Sequence, residues 1–105
     1  MTDQKPFYML NALWFKQDDG YKGYNQYMKA ALPIVTKYGG RPVTDLYLPE
    51  QDIIGEFDAD LIYFVEWPSW DVFNTFARDP EYLKIRHLRE ESITKSLLIR
   101  CSKLQ

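Results

Sequence analysis

Leu61-Ile62-Tyr63-Phe64-Val65-Glu66-Trp67-Pro68-Ser69-Trp70 is the stretch that decides the fold. Residues 61–67 are apolar, β-branched or aromatic except for Glu66, which suits a strand covered on both faces. Proline then stops the ladder, and the serine behind it is a favoured helix N-cap. The stretch predicts a central strand that runs directly into a helix over 70–78, with Asp71 well placed in the first turn and Val72, Phe73, Phe76 and Ala77 as the apolar face.

Working outward, Asp79-Pro80 is a second helix start, an aspartate cap followed by proline at the first helical position. It predicts a helix from 80 to about 94, with Tyr82, Ile85, Leu88 and Ile93 inward, and a last strand over 96–101. On the other side, residues 7–15 are apolar on both parities except for Asn11 and read as a first strand. A polar loop over 16–20 follows, in which Asp18 or Asp19 is placed to cap a helix over 21–38. That helix carries Tyr24, Tyr27, Met28, Ala31, Leu32, Val35 and Tyr38 at three-and-four spacing, with Pro33 predicted to kink it and Gly39-Gly40 to end it. Residues 41–48 read as a second strand, held to an edge by Pro42, with a weak resumption over 53–57 before the turn at 58–60.

The resulting order predicts a ferredoxin-like βαββαβ sandwich, an α+β fold of one four-stranded antiparallel sheet with helices on one face, in a single domain over 1–105. The first and third strands take its centre, and both are apolar on both parities. Helices can cover only one face. The other would expose Leu10, Ala12 and Trp14 or their neighbours, together with one parity of 61–65, a patch larger than a monomer tolerates. The expected cover is a second copy of the sheet, giving a dimeric α/β barrel; the alternative cover is the last strand or a loop.

Composition excludes several functions. A net charge of -2 with no dominant basic cluster argues against nucleic acid as partner. No apolar run approaches the roughly 20 residues of a membrane span. The N-terminal residues lack a signal-like apolar segment, and Cys101 has no partner for an internal disulfide, so a cytoplasmic setting is expected. Aromatic side chains make up 16% of the chain, enough to line a ligand site as well as a core.

Tyr27, Pro33, Tyr38-Gly39-Gly40-Arg41, Glu66-Trp67-Pro68-Ser69, Asp79-Pro80-Glu81-Tyr82 and Leu88-Arg89 occur in an order and at a spacing that resemble the domain-of-unknown-function 1330 family of the dimeric α/β-barrel superfamily. The resemblance covers about residues 7–103. It implies a ferredoxin-like monomer and a barrel-forming homodimer, and it brings no established reaction. The wider superfamily includes cofactor-independent monooxygenases, haem-degrading enzymes, isomerases and dehydratases. Trp67, Asp79 and His87 stand where the family more often has phenylalanine, serine and proline, and Gly55-Glu56 stands where Glu-Gly is usual. Asn11, Trp67 and His87 resemble the trio of haem-degrading members, at a longer spacing than that site uses.

The candidate catalytic residues are Glu66 and His87. Glu66 shares parity with Ile62 and Phe64, and a carboxylate on an apolar face would serve as base or anchor. Its alternatives are an ion pair with Arg41, Arg86 or Arg89, or exposure at the strand end. His87 has a suitable ordinary pKa for a base, and an exposed helix position fits it equally. The candidate substrate-binding residues are Arg41, Tyr27, Tyr38, Phe73 and Tyr82, lining with Glu66 a pocket between helices and sheet. A single histidine gives no metal spacing, and Gly39-Gly40 precedes a strand rather than a helix, so neither a metal nor a phosphate-bearing cofactor is expected. These features point to a homodimer binding a small apolar or aromatic molecule, with cofactor-independent chemistry left open, or alternatively to a structural or regulatory homodimer.

Overall fold

A computed structural model describes residues 4–105 of the chain. Its elements are β1 (Phe7–Phe15), α1 (Gly20–Lys37), β2 (Arg41–Pro42), β3 (Leu61–Trp67), α2 (Trp70–Ala77), α3 (Pro80–Glu90) and β4 (Ile93–Cys101). The sheet is antiparallel with order β2-β3-β1-β4, so the two strands with apolar residues on both parities are its centre, as their composition requires.

The register fixes the two faces. Phe7↔Trp67, Met9↔Val65, Asn11↔Tyr63 and Leu13↔Leu61 lie in rows on the helix side. Against them pack Tyr24, Tyr27, Ala31 and Ile34 of α1, Phe76 of α2 and Tyr82 of α3, and these residues are the core. On the other side lie Tyr8, Leu10, Ala12 and Trp14 of β1, Ile62, Phe64 and Glu66 of β3, and Leu97, Ile99 and Cys101 of β4.

Ser69 caps α2 by accepting the Val72 N–H at 3.1 Å, and Asp79 caps α3 by accepting the Glu81 N–H at 2.7 Å. Asp19 does occupy the N-cap of α1, but in a left-handed conformation (φ 64°) and without a capping hydrogen bond from its carboxylate. It pairs with Lys22 at 3.7 Å instead of capping. α1 runs unbroken past Pro33, whose ring sits on the exposed side.

Three boundaries differ from the sequence expectation. α3 stops at Glu90, where Ser92 accepts no helical role; its hydroxyl bonds back to the Leu88 carbonyl and its own carbonyl accepts the Lys16 N–H. Ile93 thereby opens β4 instead of lying in the helix. The second strand shrinks to Arg41–Pro42, followed by one bridge at Tyr47↔Ile62. Between these pairings the Thr44 hydroxyl, not a backbone carbonyl, accepts the Phe64 N–H at 3.0 Å, so the side chain replaces a ladder bond and the edge bulges outward. No strand forms over 53–57. Ile53 and Ile54 there are 80% and 95% exposed, and the loop returns through Phe57, which packs edge-on against Trp14, and Asp58, which accepts the indole N–H at 2.9 Å. A loop thus covers the Trp14 end of the open sheet face, while Ile99 remains 44% exposed.

Candidate functional site

A cavity of about 240 Å³ lies between the helices and the sheet. Its floor is Met9, Asn11, Tyr63, Val65, Trp67 and Leu98, and α1, α2 and α3 roof it with Tyr27, Phe73, Phe76, Tyr82, Arg86 and Arg89 among others. Leu98 and Arg86 are exposed and mark its mouth beside the edge strand β4. Apart from Asn11 and the Tyr63 hydroxyl, the floor is apolar because its residues belong to the strand parity that meets the helices. The roof is aromatic because Tyr27, Phe73 and Tyr82 sit on the inward stripes of their helices.

The polar groups of this cavity are few and specific. The Tyr27 and Tyr82 hydroxyls are 3.0 Å apart in a hydrogen bond, and those of Tyr24 and Tyr63 are 2.6 Å apart just behind. Burial pushes the Tyr24, Tyr27 and Tyr63 hydroxyls well above the ordinary value, and this outweighs the opposing pull of the Arg89 charge. All three are therefore neutral donors or acceptors at physiological pH. Asn11 is buried and donates to the Met9 carbonyl at 3.1 Å. Arg86 is tied to Glu90 by an ion pair of 2.9 Å along α3. Arg89 is different: its Nη2 is buried and meets no hydrogen-bond partner.

The structure brings together Tyr27, Phe73 and Tyr82 of the sequence-predicted set and separates the rest. Glu66 does not line the cavity. It belongs to the Ile62–Phe64 parity, which faces away from the helices, so the expected pocket including it is corrected here. There it stands in one row across three strands with its register partners Tyr8 and Arg41. Arg41 Nε donates to Oε1 at 2.6 Å and the Tyr8 hydroxyl to Oε2 at 3.1 Å. The bond from Arg41, ahead of that from Tyr8, holds the Glu66 carboxyl below its ordinary range despite partial desolvation. Arg41 therefore also lies outside the helix–sheet cavity, on the rim of a second, open depression with Tyr8, Phe64, Cys101 and Lys103.

Tyr38 is likewise absent from the cavity lining. Its hydroxyl donates to the Asp79 carboxylate, which also meets Lys37 Nζ at 3.7 Å, pinning the end of α1 to the start of α3. That bond raises the Tyr38 hydroxyl and lowers the Asp79 carboxyl. His87 is exposed on the outer side of α3, so the trio of Asn11, Trp67 and His87 is not assembled: the first two line the cavity and the third does not. Among the described residues no group of three His, Cys, Asp or Glu side chains is placed to hold a metal ion.

Reasoning from sequence missed Arg89 as a cavity residue. The signal was present: Tyr82, Arg86 and Arg89 are spaced four and three apart, which puts them on one face of α3.

Comparison with known proteins agrees with this architecture. Residues 7–100 match the family described as domain of unknown function (DUF1330). No curated protein matches the chain. A crystal structure of a protein of unknown function from Rhodopseudomonas palustris is similar at 27% identity and a TM-score of 0.87, covering 98% of this chain and 86% of that one. A dimeric ferredoxin-like protein of unknown function from Bacteroides fragilis superposes with a TM-score of 0.64 at 14% identity, covering 93% and 96%. A putative antibiotic biosynthesis monooxygenase from Bacteroides thetaiotaomicron does so with 0.69 at 11% identity, covering 96% and 91%. The last two likenesses show the ferredoxin-like fold alone.

Proposed function

The chain belongs to the DUF1330 family, and from that premise we propose that it is a homodimer in which the helix–sheet cavity of each protomer binds a small aromatic or apolar molecule. The carrying observation is the cavity of about 240 Å³ roofed by Tyr27, Phe73, Phe76 and Tyr82. Well-packed cores keep few voids larger than a water molecule, and a dry cavity of about 150 Å³ is enough to take up benzene. This volume suits a one-ring ligand with a small substituent. Tyr27, Phe73 and Tyr82 are the binding residues in this reading.

Glu66 and Arg41 take a different place in the proposal. Their row with Tyr8 lies on the sheet face that a second protomer would cover, where a pre-formed ion pair orients the two copies. His87, exposed on α3, is the residue left for proton transfer with groups outside the protomer. The second reading, a homodimer without catalysis, is favoured by one observation: the Glu66 carboxylate is already satisfied by Arg41 and Tyr8.

The test of the ligand site is a titration of the protein with one-ring aromatic fragments, followed by NMR at the Trp67 indole N–H. Fragments are expected to move that resonance, and Ala77→Phe, which fills the cavity from α2, is expected to abolish the movement while the far-ultraviolet circular dichroism stays unchanged. A fragment set that leaves Trp67 unmoved in the parent protein overturns the proposal.

A further inference from the structure

We propose that the ligand of the helix–sheet cavity is a carboxylate, and that Arg89 is the residue that receives it. This rests on the ligand-site reading above and narrows it to a chemical class. The observation behind it is the Arg89 guanidinium, whose Nη2 is buried at the cavity without a hydrogen-bond partner. Buried polar groups in folded proteins are almost always satisfied, and a buried charge without a counter-charge is among the costlier things a fold can keep.

The other cation at the cavity does not share this property. Arg86 sits at the mouth, its side chain is 54% exposed, and its Nε meets Glu90 at 2.9 Å. Water and Glu90 already answer its charge. Among the described residues no carboxylate lines the cavity beside Arg89, and the acidic groups in ion pairs serve other cations, Asp19 with Lys22, Asp79 with Lys37, Glu66 with Arg41 and Glu90 with Arg86. The neighbours that face Arg89 are the hydroxyls of Tyr24, Tyr27 and Tyr63, which burial keeps neutral. Among the described residues, the lining of the cavity therefore holds no negative group to compensate that charge.

A guanidinium presents planar N–H donors that match a carboxylate edge. The rest of the wall is apolar and aromatic, with Trp67, Phe73 and Phe76 offering ring faces and edges. A one-ring acid fits both parts: its carboxylate meets Arg89 and its ring meets the aromatic wall. A phosphate ester fits poorly, because its second negative charge would find no second free cation in the lining.

The experiment compares benzoate and phenylacetate with benzamide, their neutral counterpart, by calorimetric titration of the full chain. The acids are expected to bind on the order of tenfold or more tighter than the amide, the scale of one charge-assisted hydrogen-bonding contact. Arg89→Met is expected to bring the acids down to the level of the amide, to weaken amide binding much less than acid binding, and not to lower the melting temperature, since it removes a buried nitrogen that has no hydrogen-bond partner. Arg89→Lys is expected to retain part of the preference. Acid and amide binding equally well to the parent protein, with Trp67 moved by both, overturns the carboxylate assignment and leaves the ligand site standing. Neither probe moving Trp67 overturns both. A melting temperature that falls by many degrees in Arg89→Met and in Arg89→Lys, with the acid preference absent, marks Arg89 as structural and overturns its assignment.

Discussion

At the scale of single residues, Glu66 shows how much a neighbour decides. A lone carboxylate among Ile62 and Phe64 suggests a perturbed acid, yet its cross-strand partners on both sides are hydrogen-bond donors, and they stabilise the ionised form. The Arg41 side chain is 70% exposed, so the pair is worth little in the monomer. Glu66→Gln is expected to lower monomer stability by less than about 1 kcal/mol at neutral pH, read from the urea midpoint. Because the Glu66 carboxyl is held below its ordinary 4.5, its contribution is present above that pH and is lost as the pH falls through the lowered value. The difference between parent and Glu66→Gln should therefore vanish in acid. A difference that grows below pH 4.5 would contradict this sign. The tyrosines act at the other end of the scale. Tyr24 and Tyr27 are raised above the ordinary 10.0, so their contribution is intact below that pH and is lost only at more alkaline values.

At the scale of elements, the junction of α1 with β2 carries the tightest requirement. Gly39 takes φ +80°, the left-handed turn that ends the helix. Gly40 has a different reason to be glycine: a Cβ there would sit 2.8 Å from Val35 Cγ1 and 2.9 Å from the Trp67 ring. The close approach lets the chain leave α1 and enter the sheet beside Trp67, whose ring forms part of the cavity floor. Gly40→Ala is expected to cost about 1–3 kcal/mol, as overpacking of a filled site does, and to weaken fragment binding by displacing Trp67. Thermal unfolding and the Trp67 indole resonance read the two effects. An unchanged melting temperature would show that Val35 and Trp67 give way freely. The edge strand teaches a related lesson. Pro42 marks 41–48 as an edge, and it is one; the shortening to two residues came from the Thr44 hydroxyl taking a ladder position, which composition does not reveal.

At the scale of the whole molecule, the unresolved demand is the sheet face opposite the helices. Phe57 covers the Trp14 end, but Phe64, Leu97 and Ile99 have no helix over them, and Ile53 and Ile54 project from the long loop. A second copy related by a two-fold axis would bury this surface and place each Glu66 row at the contact. Sedimentation is expected to give a dimer at micromolar concentration. Ile99→Lys, a charge on an already exposed edge position, is expected to give a folded monomer. A parent protein that sediments as a monomer would refute the covered-face argument.

The order of elements, the central position of β1 and β3, the caps at Ser69 and Asp79 and the end of α1 at Gly39-Gly40 were legible in the sequence, because each depends on local chemistry and short-range period. So was the inward placement of Tyr27, Phe73 and Tyr82 between helices and sheet, because inward helical spacing follows from residue identity alone. The side on which Glu66 falls was not legible. A period of two sorts a strand into two faces without saying which one the helices take, and both faces of β3 are apolar. Only packing chose Leu61, Tyr63, Val65 and Trp67 for the core, and with that choice it sent Glu66 and Arg41 to the open face. The same packing brought Asn11, Leu98 and Arg89, far apart along the chain, around one cavity and left Arg89 Nη2 without a hydrogen-bond partner, since no local rule fixes what stands opposite a side chain on another element.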